Sequence, residues 1–386
     1  MHPMMKPALR RAWRDRQTVQ FGVTPARAVV LSPVDTATGS FLGLLDGTRG
    51  LPLLYEEARA FDLSPAQVDS LVERLTRAGV LDDPTIAARP GRPADAAPAP
   101  GTPYGRTTAF DRTRADLASL SLVHPEPGGG ARRLAARRAL RVQVRGAGRV
   151  GATIAALLAG AGVGRVDVLD GGTVQPWDVA PGGLSDQSVG ERRGPAARQL
   201  VRASAPERPP RAAESADPAG LSLIVVAPRD GLDAYAPDAA LAQDWVAAGI
   251  PHLYAGVLET TGLVGPLVLP GGTGCAGCLA LDRAARDPGW PRMLAQWRSG
   301  RRQGAVPSCD LALATAVAGL AAGHALTFLD GDLPAATGAR WEASLPLLDW
   351  RSRPVGARLD CSCGAAGDTQ GEDASGGART QDTMAR

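Results

Sequence analysis

A glycine-rich turn between two strand-like segments constrains this chain more than any other feature. Apolar residues alternate with polar ones in the strand-like segments at 140–145 and 165–169, and an apolar stretch with helical character, 152–161, lies between them. The turn that follows the first segment reads Gly-Ala-Gly-Arg-Val-Gly. A strand, a helix and a second strand in this order predict the opening unit of a parallel, doubly wound α/β sheet of the Rossmann type.

The three glycines of this turn, Gly146, Gly148 and Gly151, predict a nucleotide site. The first glycine permits the tight turn, the second lets backbone approach a pyrophosphate, and the third lets helix and strand pack closely. The free N–H groups at the start of the helix suit an anion. Asp170 ends the next strand, where a carboxylate can accept hydrogen bonds from ribose hydroxyls. The alternative is a Rossmann fold whose pocket holds no nucleotide.

The chain of 386 residues is long enough for two domains. Residues 1–85 predict a compact module of short strands followed by helices, similar to a winged helix. Its last helix has a strong start signal, because Ser64 can cap it and Pro65 suits the first turn. The apolar stripe of this helix has helical spacing: Val68, Leu71, Val72 and Leu75.

Two segments predict connecting or disordered chain. Residues 86–108 are rich in Pro, Ala and Gly without periodicity, which favours a semi-rigid linker. Residues 365–386 have almost no apolar side chains, which favours disorder. The α/β domain is therefore expected to span residues 109–364.

Four of the five cysteines form two close pairs that predict a structural zinc site: Cys275, Cys278, Cys361 and Cys363. A reducing cytoplasm disfavours the alternative of disulfides. The second pair has Cys-x-Cys spacing, which is tighter than the commonest Cys-x-x-Cys. The fifth cysteine, Cys309, is predicted to begin an apolar helix, where it is either a nucleophile activated at a helix N-terminus or a packed or capping residue.

Charge and hydropathy limit the classes of partner. A formal net charge of +3 is too small for a dedicated nucleic-acid-binding protein. The basic N-terminus lacks the apolar core of a secretory signal, so we expect a cytoplasmic protein. Residues 311–329 could be mistaken for a membrane span, but they include His324 and are mostly Ala and Gly, which favours a helix in a soluble core or interface.

Residues 110–364 resemble the ThiF/MoeB/E1-like adenylyltransferase family. Several stretches follow the family's order: VQVRGAGRVG, AGVGRVDVLD, SVGERRGPAARQ, LIVVAPRD, GGTGCAGCL, the apolar helix and a closing CSCG. The resemblance implies binding of ATP and Mg²⁺, adenylation of the C-terminal carboxylate of a ubiquitin-like or sulfur-carrier protein, and a homodimer.

The resemblance also implies roles for individual residues. The three turn glycines would surround the phosphates and Asp170 would hold the ribose. Arg193 stands where the family has a catalytic lysine, and Asp230 matches the carboxylate associated with Mg²⁺. Arg112 resembles the arginine that a dimer partner sends to the nucleotide.

Three departures from the family pattern put ordinary adenylation in doubt. Gly172 stands where the family has a second carboxylate, and residues 177–182 replace the family's Ser-Asn-Leu-x-Arg-Gln run. Pro181 there replaces an arginine that would touch the γ-phosphate. Losing one transition-state cation can cost on the order of several kcal/mol.

The N-terminal module, through its LLDGTRGLPLL run, resembles the peptide-recognition elements of E1-like partner proteins in azoline-forming ribosomal peptide pathways. That resemblance implies a protein that binds a precursor peptide and presents it to a separate, ATP-using cyclodehydratase. A dimerisation or packing module is the alternative for residues 1–85. For the whole chain, an active adenylyltransferase is the rival, and a nicotinamide oxidoreductase is disfavoured because nothing in that class requires the thiolate pairs.

Overall fold

The computed structural model describes residues 1–87, 109–207, 220–300 and 306–368. The chain divides into two compact units, Met1–Ala139 and Leu140–Arg386. Most of the expected linker, and the expected disordered tail from residue 369 onward, lie outside the described residues. The first residues assigned to that tail, Ala365–Asp368, form a short helix. The domain boundaries drawn from the sequence remain a prediction.

The first unit combines a small antiparallel sheet with helices. Its strands are β1 (Met4–Met5), β2 (Arg11–Asp15), β3 (Thr18–Phe21), β4 (Val29–Leu31) and β5 (Leu81–Asp82). Its helices are α1 (Thr36–Phe41), α2 (Leu51–Ala58), α3 (Pro65–Arg77), α4 (Pro84–Ala87), α5 (Ala109–Val123) and α6 (Gly129–Arg137). The order β2-β3-β4 forms one antiparallel sheet, and β1 pairs with β5.

Helix α3 confirms its sequence signals. Ser64 and Gln67 form a reciprocal capping box, and the stripe from Val68 to Leu75 is buried in the core of this unit. By contrast, the sequence reasoning missed β2. All five of its residues are exposed, so it carries no alternation of buried and exposed side chains that could have revealed it.

Helices α5 and α6, which the sequence groups with the second domain, lie in the first unit. The reason is a buried cation: Lys6 is 2% exposed, and its Nζ donates to the carbonyl oxygens of Ser121 at 2.6 Å and Pro125 at 2.8 Å. Asp82 Oδ1 also accepts from Gly128 N at 2.6 Å, just before α6. A buried ammonium without such acceptors would be costly, so these bonds hold α5 to the N-terminal strands.

The second unit is built on a seven-stranded sheet. Its strands are β6 (Arg141–Arg145), β7 (Arg165–Leu169), β8 (Leu223–Val226), β9 (His252–Leu258), β10 (Thr261–Val268), β11 (Ala339–Ser344) and β12 (Arg351–Pro354). Its helices are α7 (Arg149–Gly160), α8 (Arg193–Ser204), α9 (Leu232–Tyr235), α10 (Ala239–Ala247), α11 (Ala276–Arg286), α12 (Trp290–Ser299), α13 (Leu311–Leu329) and α14 (Ala365–Asp368).

The sheet order is β12-β11-β10-β9-β8-β6-β7. Strands β9, β8, β6 and β7 are parallel, and β9 to β12 continue as an antiparallel meander. Strand β8 is apolar and mostly buried, and the three central residues of β6 are buried, as expected for strands covered on both faces. This confirms the predicted Rossmann-like α/β fold and places the turn after β6 beside the end of β8.

Helix α13 is long and apolar enough to cross a membrane by length and composition alone, with 39% of that window buried. One face, which includes Leu313, Val317 and Ala321, is buried in the core of the second unit. This face packs against α7 and the adjacent strands β9 and β10. Burial of one face in this way is what a helix that packs against a sheet shows.

Candidate functional site

The glycines after β6 hold the backbone in a form that side chains would prevent. Gly146 has φ +108°, and a Cβ there would overlap the carbonyl oxygen of Ala227 at the end of β8. A Cβ at Gly151 would overlap the carbonyl oxygen of Gly146. At Gly148, a Cβ would lie 3.2 Å from the side chain of Arg229. The first and third glycines are thus required by packing, and the second faces the arginine of the neighbouring loop.

Asp170, the expected ribose ligand, is already surrounded by donors from its own chain. Its Oδ2 accepts from Ala147 N at 2.9 Å, and its Oδ1 accepts from Gly172 N at 2.8 Å. Arg193 Nε adds an ion pair at 3.0 Å to Oδ1. The side chain is only 10% exposed. A ribose would therefore have to compete with these three donors for the carboxylate.

The guanidinium of Arg193 fills the space left by a missing side chain. A Cβ at Gly172 would overlap Nη2 of Arg193. Arg193 Nη1 also donates to the carbonyl oxygen of Thr173 at 2.8 Å. The arginine therefore occupies the space that any side chain at position 172 would need.

A residue that the sequence reasoning did not single out, Asp178, completes an ion-pair network. It is 2% exposed, and its carboxylate pairs with Arg229 Nε at 2.6 Å and with Arg193 Nη1 at 3.4 Å. It also accepts from Gln175 N at 3.0 Å. The one available signal was a carboxylate inside the substituted 177–182 run. The four side chains of Asp170, Arg193, Asp178 and Arg229 thus form one network (the arginine–aspartate network), which lies next to the glycine turn.

Three donors around this network have no hydrogen-bond partner among the described residues: Arg149 Nε, Trp177 Nε1 and Arg229 Nη2. All three atoms are buried. Unsatisfied buried donors are rare in folded proteins and point to a bound water or ligand. Two of the three belong to arginines at or beside the start of α7, which suits an anion rather than a cation.

Two catalytic candidates remain. Asp230 Oδ1 accepts from Leu232 N at 3.1 Å, at the start of the short helix α9. Arg112 is exposed on α5 and belongs to the first unit. Their proposed roles, Mg²⁺ binding and contact with a partner's nucleotide, remain predictions.

The four paired cysteines meet in one cluster. Cys275 and Cys278 lie at the start of α11, and Cys361 and Cys363 lie in the turns after β12. The sulfur–sulfur distances are 3.6 Å for Cys275–Cys361, 3.5 Å for Cys278–Cys363 and 3.9 Å for Cys275–Cys278. All four sulfurs lie within 4.8 Å of one another. A tetrahedral zinc with Zn–S bonds of ~2.3 Å requires sulfur separations of ~3.8 Å, so the cluster fits this metal.

Cys309 does not lie within helix α13. The helix begins at Leu311, and the side chain of Asp310 caps it by accepting from Leu313 N. Burial raises the pKa of the Cys309 thiol, and nearby Arg149 offsets this only in part. Arg149 Nη1 donates to the Cys309 carbonyl oxygen at 2.8 Å, not to the sulfur. These features favour a packed cysteine over an activated nucleophile.

This packing gives a prediction for thiol reactivity. At pH 8, where an ordinary thiol is partly ionised, we expect Cys309 to react with iodoacetamide about tenfold more slowly than free cysteine, because a raised pKa leaves less thiolate. The rate should climb as the pH rises further. Mass spectrometry of the tryptic peptide, with Cys309→Ser as the blank, measures it. Faster labelling of Cys309 than of free cysteine would instead indicate an activated nucleophile.

Comparisons with known proteins agree with this architecture. A family model described as the ThiF family matches residues 128–365. A comparison with curated protein sequences found no significant match. Among solved structures, E. coli MccB with SeMet MccA is similar at TM-score 0.66 and 13% identity, covering 94% of this chain and 99% of that chain.

Two further structures are similar. E. coli MccB with ATP matches at TM-score 0.65 and 14% identity, covering 94% of this chain and 99% of that one. The heterocyclase TruD matches at TM-score 0.59 and 16% identity, covering 94% of this chain but 43% of TruD. At these identities the likeness establishes the fold alone.

Proposed function

The chain belongs to the ThiF family, and from this premise we propose that it is an E1-like protein with a degenerate adenylation site. In this proposal it binds a precursor peptide and presents it to a separate enzyme that uses ATP. The arginine–aspartate network carries the proposal, since it fills the region where a ThiF-type site would place the nucleotide's ribose and metal-binding carboxylates.

The network makes nucleotide binding costly. Arg193 and Asp178 are 13% and 2% exposed, so separating them leaves a buried charge without its partner. Asp170 would also have to give up Arg193 to accept a ribose hydroxyl. Without a carboxylate at Gly172 and an arginine at Pro181, the site has fewer groups with which to bind Mg²⁺ and the γ-phosphate.

The first unit offers a groove for the peptide. A cavity of about 320 Å³ lies between the end of β4 and the exposed side of α3. Its lining is mixed apolar and polar: Leu31, Pro33, Thr38, Leu63, Ala66, Gln67, Ser70, Leu71 and Arg74. Such a lining suits a short peptide segment with apolar anchors.

Strand β4 lies at the edge of its three-stranded sheet. An edge strand can pair with an added extended segment, so backbone hydrogen bonds to β4 would supply affinity while the groove reads side chains. Among the similar structures, MccB was solved with MccA, and TruD is a heterocyclase.

The degenerate site predicts weak nucleotide binding. Titration of the protein with ATP and Mg²⁺ in a calorimeter should give a Kd of about 1 mM or weaker, with no pyrophosphate exchange in the presence of a candidate peptide. The variant Gly172→Asp should displace the Arg193 guanidinium from its present position and bind Mg²⁺·ATP more tightly than the wild type. Micromolar affinity of the wild type together with exchange activity would refute the proposal.

The groove predicts where the peptide binds. We expect Ser70→Trp, which fills the groove from the exposed face of α3, to weaken binding at least tenfold. The probe is a labelled peptide encoded beside this gene, followed by fluorescence anisotropy. Glu73→Trp is the matched control, because Glu73 is 70% exposed on the same helix and outside the groove. Equal affinity of the two variants would show that the peptide binds elsewhere.

The second candidate function is an active ATP-dependent adenylyltransferase for the C-terminus of a carrier protein. The three buried donors without partners at the glycine turn favour it, because phosphate oxygens would satisfy them. In that case Arg193 would swing from Asp170 towards the phosphates. Pyrophosphate exchange lost on Arg193→Gln would support this function over the first.

A further inference from the structure

Helix α12 carries an apolar stripe that the fold does not bury. The stripe has helical i, i+3, i+4, i+7 spacing: Trp290, Met293, Leu294 and Trp297. Trp297 is 48% exposed and Met293 is 36% exposed, and no residue of α12 is buried. Helix α3 has the same spacing, yet Val68 and Leu75 there are 0% and 1% exposed. The stripe of α12 is therefore a helix face without a covering element in the described part of the chain.

A hydrogen bond and aromatic contacts, rather than burial in a core, hold α12 in place. Arg298 Nη2 donates to the carbonyl oxygen of Ala236 at 2.9 Å. Trp290 contacts Tyr235 edge to face at 6.2 Å, and the Arg283 guanidinium lies over both rings. Trp297 in turn meets Trp290 at 5.5 Å. The stripe is thus fixed in one orientation before any partner arrives, which lowers the entropic cost of binding.

The charge beside the stripe is mainly positive, although Asp282 on α11 and Asp287 just before α12 also lie here. Helix α12 contains Arg292 and Arg298 and no acidic residue. The last turn of α11 adds Arg283 and Arg286, of which Arg286 pairs with Asp282 at 3.0 Å. Fixed tryptophans next to arginines are the residue types that dominate protein interfaces. The complementary surface carries carboxylates around apolar anchors.

We propose that this face of α12 (the α12 surface) docks an acidic, amphipathic segment of a separate protein. The assignment rests on the proposed function to the extent that this partner is the enzyme to which the peptide is presented. A second copy fits less well, because a symmetric contact between two α12 helices brings four arginines and no carboxylate of α12 together. The chain's own residues 369–386 fit poorly too, since Met384 is their one large apolar side chain and they include Arg379 and Arg386.

The test uses a synthetic, tryptophan-free helical peptide with leucines on one face and glutamates on the other. Added to the full chain, it should produce a saturable change in tryptophan emission that weakens as salt increases. The same peptide with lysine at every glutamate position should bind at least tenfold more weakly. Equal binding of the two peptides, or no binding of the acidic one, overturns the proposal.

Variants locate the binding. Trp297→Ala and Arg292→Glu should each weaken the acidic peptide about tenfold. The matched controls are Trp13→Ala, since Trp13 is 49% exposed in the other unit, and Arg77→Glu on the exposed side of α3. Circular dichroism checks that all four variants are folded. Unchanged affinity of Trp297→Ala, or loss of affinity in the controls, contradicts the assignment.

Two further outcomes would show that something else occupies the α12 surface. If size-exclusion chromatography shows a dimer for the wild type and a monomer for Trp297→Ala, the surface is assigned to a second copy. Binding that appears only after removal of residues 369–386 would assign it to the chain's own end. Neither result depends on the peptide groove, because Ser70→Trp should leave binding to the α12 surface unchanged. Failure of the docking proposal is therefore distinguishable from failure of the proposed function.

Discussion

Replacing Cys275 with serine will release the metal and destabilise the second unit more than any other single change considered. The four thiols converge from α11 and from the turns after β12, where they pack together with apolar neighbours of the same cluster. A four-thiolate zinc contributes its binding free energy to folding, on the order of 10 kcal/mol in small zinc domains. Loss of one ligand should remove several kcal/mol of that stabilisation.

The measurement is elemental analysis of purified protein combined with a thermal melt. The wild type should contain one zinc per chain, and Cys275→Ser should contain much less than one and melt at least 10 °C lower. Cys309→Ser is the internal control. Because Cys309 lies outside the cluster, this variant should keep the full zinc content of the wild type. A metal-free wild type, or a Cys275→Ser variant with full zinc and an unchanged melt, would remove the basis for a structural metal site.

Gly146→Ala will destabilise the fold on the order of 3–5 kcal/mol, because the new Cβ meets backbone that cannot move aside. Gly146 has φ +108°, a conformation that alanine adopts only under strain, and the Cβ would overlap the Ala227 carbonyl oxygen in the neighbouring strand. The change separates β6 from β8 at the centre of the parallel sheet. It therefore acts on folding as well as on any ligand at the turn.

Denaturant unfolding of the full chain measures this effect. Gly160→Ala at the far end of α7 is the control, since its Cβ would meet nothing closer than the Ser204 carbonyl oxygen at 3.7 Å. Alanine there should be neutral or stabilise the helix by up to about 1 kcal/mol. If Gly146→Ala proved as stable as Gly160→Ala, the turn could not have the backbone described above.

The sequence alone determined the fold class and the order of its main elements. The turn from Gly146 to Gly151 could be read because its glycines are dictated by local backbone geometry, which the sequence records directly. The cysteine metal site could be predicted for a similar reason, because two cysteines close together in sequence place their thiols on one side of a metal. The ThiF resemblance also pointed correctly to the family.

The tertiary structure decided what the site contains. Nothing in the spacing of Asp170, Asp178 and Arg193 shows that they form one network, because charged side chains far apart in sequence reveal their partners only once the sheet brings them together. The same holds for Lys6, whose acceptors on α5 are backbone carbonyls without any sequence signature. Likewise α3 and α12 share one apolar spacing, and only packing made the first a core helix and the second an exposed face. Periodicity specifies which side of a helix is apolar, whereas what covers that side depends on contacts between distant segments.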